Sequence, residues 1–479
     1  MKKINLIFLF ITISAFSSCG TNNEENIPEP PETENEIILT TEATTITSEA
    51  ALETAQTFWR YFSTGNVMEA SQMFSLTMLE ALGGLEETVY LLDQTYQNLI
   101  MASGNFDDES FFLMDYEYVD DLHAMFFMVN QASAFVTLQI VADNQGAIDG
   151  FWIVDVEFLG EDHESEYYTS EHIVLGTRWP LDGIITMPNE ASTSNLVPGV
   201  VLVHGSGNTA GDMDSSLFQN RPFFDIASYL SSHGIAVLRY HKRTFSYAFE
   251  VMEEYGEALT VVQETIEDAV LAAEMLRANP MVDNNRIFML GLSMGGMLAP
   301  RIHLSGGDFA GLILMGASPQ TFGEVIVAQN IAMIETIEDE EMYTMLMEQI
   351  HEMVELFEAL QHMPAAEAQA IPFDGGASLY YLRDFDAHPF YQLVQDIHIP
   401  FLIQHGSNDF QAPAYAVIPA FEEIFAGRDN VTIHTYSGLN HVLMESVATG
   451  IHDIHEDYAI PGSVAEVVLR DMVDWILVN

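Results

Sequence analysis

The sequence predicts an α/β protein whose mostly parallel central sheet is covered on both faces, carries a helical insert and is preceded by a small α+β domain. Three observations predict it. From residue 168 onward, short, nearly continuous apolar runs alternate with helical stretches, the pattern of strands buried on both faces and joined by helices. Between residues 48 and 160 the order differs, with helices first and then a meander of strands. Finally, the alternation is interrupted at about 318–395 by a stretch too long for an ordinary loop.

Taken in chain order, "MKKINLIFLFITISAFSSCG" has two lysines, an apolar run from Ile4 to Phe16, and small residues before Cys19, so residues 1–18 read as a cleaved secretory signal. Residues 19–47 are rich in Glu, Pro, Thr and Asn and read as a flexible tether. In "SEAALETAQTFWRYFSTG", Ala51, Ala55, Phe58 and Phe62 recur at helical spacing, and Gly65 follows as a stop. Two further helical segments end near Ser103, and the strand-like stretch after them has turn signals at Asn130-Gln131 and Asp143-Asn144. Next, "HIVLG" and "LDGIITMP" read as a hairpin, followed by strands at 199–205, 235–240, 287–292, 311–317, 400–406 and 431–436. Helices are expected at 221–233, 260–278, 295–305, 415–427 and 463–477. Within the insert, "ETIEDEEMYTMLMEQIHEMVELFEALQHM" is acidic on one face and rich in Met and Leu on the other. It reads as a lid over the sheet's C-terminal edge or as a peripheral decoration, and its Met and Leu side chains as an acyl pocket or as core filler.

Bulk composition narrows the function. The chain carries 71 acidic and 14 basic residues, a formal charge of −57, which argues against nucleic acid and against adsorption of the folded surface to anionic lipid. With a single cysteine, neither an intrachain disulfide nor a Cys-ligated zinc site can form. No G-x-G-x-x-G follows a first strand, which argues against a dinucleotide-dependent oxidoreductase.

The chemistry is read from the strand ends, because open parallel sheets build their sites at the C-terminal edge. "IFMLGLSMGGM" ends an apolar strand on Ser293, with Gly291 before it and Gly295 after it. G-x-S-x-G at a strand-to-helix turn is a nucleophile elbow; an ordinary glycine-rich turn is the alternative. The strand at 400–406 is followed by Asp409 and the strand at 431–436 by His441. Serine, acid and histidine in that chain order, each just past its own strand, form a candidate triad. His405 and His434 lie within their strands and fit the base role less well. The backbone N–H groups of Met294 and Ser206 are the candidate oxyanion donors. The loop His204, Gly205, Ser206, Gly207 and the cluster Arg239, Lys242, Arg243 are the candidate substrate-binding residues; the cluster either binds a substrate carboxylate or pairs with neighbouring acids to hold its loop. The scheme calls for no metal and no organic cofactor, and its partner is a small-molecule ester.

Three resemblances add to this reading. The signal's ending resembles that of a bacterial lipoprotein, which implies lipidation of Cys19 and an extracytoplasmic, membrane-anchored location; plain secretion is the alternative. Residues 48–160 resemble the cone-shaped domains of the nuclear-transport-factor type. Through "VLVHGSGNTAGDMD", "QNRPFFDIASYLSSHGIAVLRYHKRT", "GLSMGGMLAP", "IQHGSNDFQAP" and "YSGLNHVLM", residues 165–479 resemble the bacterial α/β-hydrolase esterases related to dienelactone hydrolases and serine peptidases. That resemblance implies Ser293, Asp409 and His441 as the triad and ester hydrolysis as the activity. A peptidase, amidase or thioesterase on the same triad, or a non-catalytic binding lipoprotein, are the alternatives. Two departures bear on substrate preference: residues 208–214 lack the Pro and Arg usual in relatives, and His241 replaces an Asp.

Overall fold

A computed structural model describes residues 47–103, 106–119, 122–131, 134–158, 165–207, 209, 211, 220–337, 340–373 and 377–479. The signal, Cys19 and all of the tether before Thr47 lie outside the described residues. The described chain forms two compact units, one ending at residue 158 and the other starting at 165.

In the first unit four helices precede four strands: α1 (Ser48–Ser63), α2 (Val67–Ser71), α3 (Leu76–Ala81), α4 (Leu85–Ser103), then β1 (Phe106–Val119), β2 (Leu122–Gln131), β3 (Ala134–Asp143) and β4 (Ile148–Phe158). Thr47 caps α1 by accepting the Ala50 N–H, and the helix buries the Ala51, Ala55, Phe58 and Phe62 face completely. That face meets an antiparallel sheet in the order β1-β2-β3-β4, whose buried cross-strand pairs are Met125 with Ile140, Phe127 with Leu138 and Val129 with Val136. Asp143 makes the β3–β4 turn by accepting the N–H groups of Gln145 and Ala147, both at 2.8 Å. Phe58, Trp59, Phe62, Phe74 and Phe127 are core, with Phe58 edge-on against Phe74 and Phe151, while Tyr90 and Tyr118 are exposed.

The second unit is an eight-stranded sheet in the order β12-β11-β10-β9-β7-β8-β6-β5. The hairpin β5 (Tyr168–Leu175) and β6 (Leu181–Pro188) is antiparallel. The remaining strands, β7 (Val197–Val203), β8 (Ala236–Tyr240), β9 (Val282–Leu292), β10 (Gly311–Met315), β11 (Phe401–Gly406) and β12 (Val431–Tyr436), run parallel to one another. β7, β8, β10 and β11 are buried at every residue, which is why they read as unbroken apolar runs. The helices are α5 (Pro222–Ser232), α6 (Arg243–Ser246), α7 (Ala248–Tyr255), α8 (Glu267–Ala278) and α9 (Met294–Ile302), the insert's α10 (Phe322–Ile334), α11 (Glu340–Leu360), α12 (Ala365–Gln369), α13 (Leu379–Asp386) and α14 (Phe390–Leu393), then α15 (Ala414–Ile424), α16 (Ile454–Ala459) and α17 (Glu466–Val478). The helix expected over 260–278 instead opens with a π turn, Val262–Ile266, and the short helices α6, α7 and α16 carry too little periodicity to be read from sequence. Among the described residues no helix is long and apolar enough to cross a membrane.

The insert has a core of its own, built from Ile326, Ile334, Ile350, Met353, Leu360 and Leu382. Ile350, Met353 and Leu360 of α11 are thus filler for the insert, while Met342 and Met345 on the same helix are half exposed. One contact ties the insert to α9, and another joins two of its own helices, α10 and α13. Arg301 of α9 forks onto Asp384 at 2.8 and 3.1 Å. Asp386 accepts the first N–H groups of α10, from Phe322 at 2.8 Å and Gly323 at 3.2 Å. Burial pushes the Asp386 carboxyl up to about 6, outweighing the pull of those two donors. Since the folded state then binds the proton more tightly than the unfolded chain, this group makes stability fall as pH rises from about 4 to about 6. Asp386→Asn is therefore expected to flatten the decline of unfolding free energy across that window in denaturant titrations; an unchanged slope would mean that Asp386 titrates normally.

Candidate active site

After β7 the chain passes through α5 to β8 on one side and returns through α8 to β9 on the other, so β7 and β9 are neighbours whose connections leave in opposite directions. Such a switch point leaves a crevice at the strands' C-terminal ends, and residues 204–207 and Ser293 both emerge there. Ser293 occupies φ 53°, ψ −118°, between the last residue of β9 and the first of α9. A non-glycine residue there is strained, and it is held by its N–H bond to Met315 O at 2.8 Å and by its carbonyl accepting the Gly296 and Met297 N–H groups. The flanking glycines answer to sterics. A Cβ on Gly291 would lie 2.4 Å from Gly295 O, and one on Gly295 would lie 2.5 Å from His204 O and 2.6 Å from Val203 O. The helix start is jammed against the end of β7, and only hydrogen fits.

Asp409 and His441 arrive from β11 and β12. His441 Nδ1 lies 2.7 Å from Asp409 Oδ2, and the other oxygen, Oδ1, accepts the Gln411 and Ala412 N–H groups at 3.0 and 2.8 Å. Gly316, at φ +58°, ends β10 directly beneath this ring, where a Cβ would meet His441 O at 2.6 Å. Burial by itself would raise the Asp409 carboxyl, but the attraction of His441 and the hydrogen bonds from both His405 and His441 hold it well below the ordinary carboxylate range. An ionised, fully buried acid that accepts a hydrogen bond from Nδ1–H leaves Nε2 of a neutral His441 ring as an acceptor. Among the described residues no hydrogen bond joins the His441 ring to the Ser293 hydroxyl. Such bonds are often long in unliganded sites and close when substrate arrives.

Residues 204–207 pass over the serine: a Cβ on Gly205 would lie 3.2 Å from Ser293 Cβ. The N–H groups of Ser206 and Met294 have no acceptor among the described residues. Other predicted binding residues are placed differently. His204 is buried, its Nε2 2.6 Å from Tyr240 O, so it braces the strand ends. Arg239, 1 % exposed, donates to Thr186 Oγ1 at 2.7 Å. Arg243, 2 % exposed, forks onto Asp268 through Nε at 3.0 Å and Nη2 at 2.5 Å. Lys242, also 2 % exposed, bonds Gly205 O and Gly207 O at 3.0 Å each and Glu264 Oε1 at 2.6 Å. All three cations are buried: Lys242 and Arg243 pair with the acids Glu264 and Asp268, and Arg239 meets a hydroxyl of the neighbouring strand β6. His241, in place of the usual Asp, accepts the Gly211 N–H at 2.9 Å and so holds the far end of the same loop.

Sequence weighs His405 only as a base, and it does not single out Glu264 or Tyr381. His405 Nε2 lies 3.1 Å from Asp409 Oδ2 and 2.6 Å from Ala412 O, bracing the acid from behind. Its position four residues before Asp409 was the available signal, hidden by its place inside a strand. Glu264 and Tyr381 complete the Lys242 network, and neither carries a motif.

The elbow's crowding has a direct consequence. Gly295→Ala must displace main chain, since its obstacles are carbonyl oxygens, and overpacking of this kind typically costs about 1–3 kcal/mol. A denaturant midpoint lowered accordingly, with loss of whatever activity depends on Ser293, is the expected outcome; a variant equal to wild type in both would show that the contact is not tight.

The profile of the α/β hydrolase family matches residues 200–453. Esterase EstD of Thermotoga maritima is 30% identical over 354 residues, 72% of this chain and 77% of that protein. Among solved structures, Est1E from Butyrivibrio proteoclasticus aligns with a TM-score of 0.38 at 16% identity, over 64% of this chain and 99% of that one. A puromycin-hydrolysing peptidase from Mycobacterium tuberculosis aligns with a TM-score of 0.38 at 16% identity, over 69% of this chain and 51% of that one. The chain belongs to the α/β hydrolase family.

Proposed function

We propose that this protein is a serine carboxylesterase acting on short to medium acyl esters. The observation that carries the reading is the placement of Ser293 on a strained elbow, near a buried Asp409–His441 pair and beside the N–H groups of Ser206 and Met294, which bond no acceptor among the described residues. Similarity to an esterase over most of both chains supports the ester preference.

In the proposed reaction His441 Nε2 takes the Ser293 hydroxyl proton as Oγ attacks the ester carbonyl. The carbonyl oxygen gains the negative charge and lies against the N–H groups of Met294 and Ser206, the first of which also sits at the N-terminal end of α9. His441 passes the proton to the departing alkoxide, leaving an acyl group on Oγ. Water, deprotonated by the same nitrogen, then releases the acid and restores the serine. Asp409 holds the imidazole tautomer throughout and balances the transient imidazolium, a role suited to a carboxylate that stays ionised. A peptidase, amidase or thioesterase would use the same steps with a different leaving group. The leader and Cys19 support an extracytoplasmic, lipid-anchored location.

Turnover of nitrophenyl esters of increasing acyl length, with a peptide anilide beside them, tests the proposal. Ester turnover should fall at least about 10⁴-fold in Ser293→Ala and by about 10⁴-fold in Asp409→Asn, with the proteins still folded. Undiminished turnover in Ser293→Ala would refute the assignment, and preferential cleavage of the anilide would move the protein to the peptidase reading.

A further inference from the structure

Beneath the crevice lies a buried ionic network that the reaction scheme does not use. The three donors of the Lys242 ammonium are all taken: Gly205 O at 3.0 Å, Gly207 O at 3.0 Å and Glu264 Oε1 at 2.6 Å. The second Glu264 oxygen, Oε2, accepts the hydroxyl of Tyr381, and that hydroxyl also lies 3.5 Å from the sulfur of Met294. Glu264 is delivered by the π turn Val262–Ile266, a local departure from α geometry of a kind frequent at functional sites. Tyr381 belongs to α13 of the insert. Burial, the charge of Glu264 and this hydrogen bond all keep Tyr381 protonated and donating.

We propose that Lys242 is a positioning residue for the oxyanion hole, fixed by Glu264 and linked through Tyr381 to the helical insert. This rests on the serine-hydrolase reading above. The geometry follows from one peptide plane. The Gly205 carbonyl and the Ser206 N–H belong to the same trans peptide and so point in opposite directions. An ammonium that anchors Gly205 O on the buried side therefore turns the Ser206 N–H toward the crevice. The positive charge also polarises that peptide, which strengthens the N–H as a donor at the moment oxyanion charge develops. The bond to Gly207 O anchors a second carbonyl two residues further on, so the 205–207 segment is restrained at both ends.

Stability alone is a poor reason for such a network. Two charges buried together recover little more than their desolvation cost, and apolar residues of similar volume commonly serve as well. Lysine is also scarce here, with 14 basic residues of both kinds in the whole chain, yet one is enclosed at 2 % exposure against two loop carbonyls. The Tyr381 link further ties the insert to both donors at once, through Glu264 and Lys242 to Ser206 and through Met294 directly.

The test is steady-state kinetics on a nitrophenyl ester, with inhibition by a trifluoromethyl ketone, whose adduct with a serine places an oxyanion in the hole. Wild type is compared with Lys242→Met, the charge-neutral double variant Lys242→Met/Glu264→Gln, and Tyr381→Phe. The double variant leaves no unpaired buried charge, so it guards against simple unfolding of the single one. The expected result is a fall in kcat of about 10²-fold, KM within about threefold, and a matching loss of affinity for the ketone. Tyr381→Phe should show the same pattern at about three- to tenfold, and it decides the matter if the charge variants do not fold. Folded variants whose kcat stays within about twofold of wild type, or whose loss lies wholly in KM, would overturn the positioning role while leaving the serine mechanism intact. A wild type inert toward esters and unreactive through Ser293 would overturn both.

Discussion

The second unit depends on one steric constraint, the backbone contact between the end of β7 and the first turn of α9. With Gly295 pressed against the carbonyls of Val203 and His204, the chain leaving β9 has no room for an ordinary turn. It reverses through a single residue in a strained conformation, and that residue is Ser293. The same contact brings residues 204–207 across the serine, because they continue from the strand against which the helix is jammed. Nucleophile and oxyanion loop are thus set by one packing event, while β10, β11 and β12 extend the sheet in register until Gly316, Asp409 and His441 stand on the adjoining strand ends.

A second constraint is electrostatic. With −57 formal charges, each cation that the chain encloses is withheld from a surface already crowded with carboxylates. Arg239, Lys242 and Arg243 are nonetheless buried next to the site, and Arg301 fastens the insert to α9. Each has hydrogen-bond partners matched to its geometry: Arg243 forks onto Asp268, whose carboxyl burial pushes up to about 6 against the pull of that same arginine. Asp409, equally buried, goes the other way because two imidazoles face it. Two aspartates with similar burial thus shift in opposite directions because different partners face them.

Much of this was legible from sequence because it is written in local patterns. Continuous apolar strands, the G-x-S-x-G spacing and the placement of Asp409 and His441 just past strands are all one-dimensional signals, as is the Ala51–Ala55–Phe58–Phe62 face of α1. The unreadable part is pairing at a distance. Nothing local marks Glu264 as the partner of Lys242, since the π turn that aims it looks like plain helix. Tyr381 is one aromatic among many in an insert whose docking the sequence does not record. His405 fits the base role less well in sequence because it lies within its strand, and the fold buries it completely against the acid. The basic cluster was split between ligand and structural roles because a cation at a strand end looks the same in sequence whether it faces out or in.

The central claim is that Ser293 is an activated nucleophile, and covalent labelling tests it most directly. The native protein would be treated with a fluorophosphonate and the adduct located by mass spectrometry of its peptides. A single phosphonyl group on Ser293, absent when the protein is unfolded before treatment, is the predicted result. A folded protein that takes up no label, or takes it up on another residue, would contradict the account.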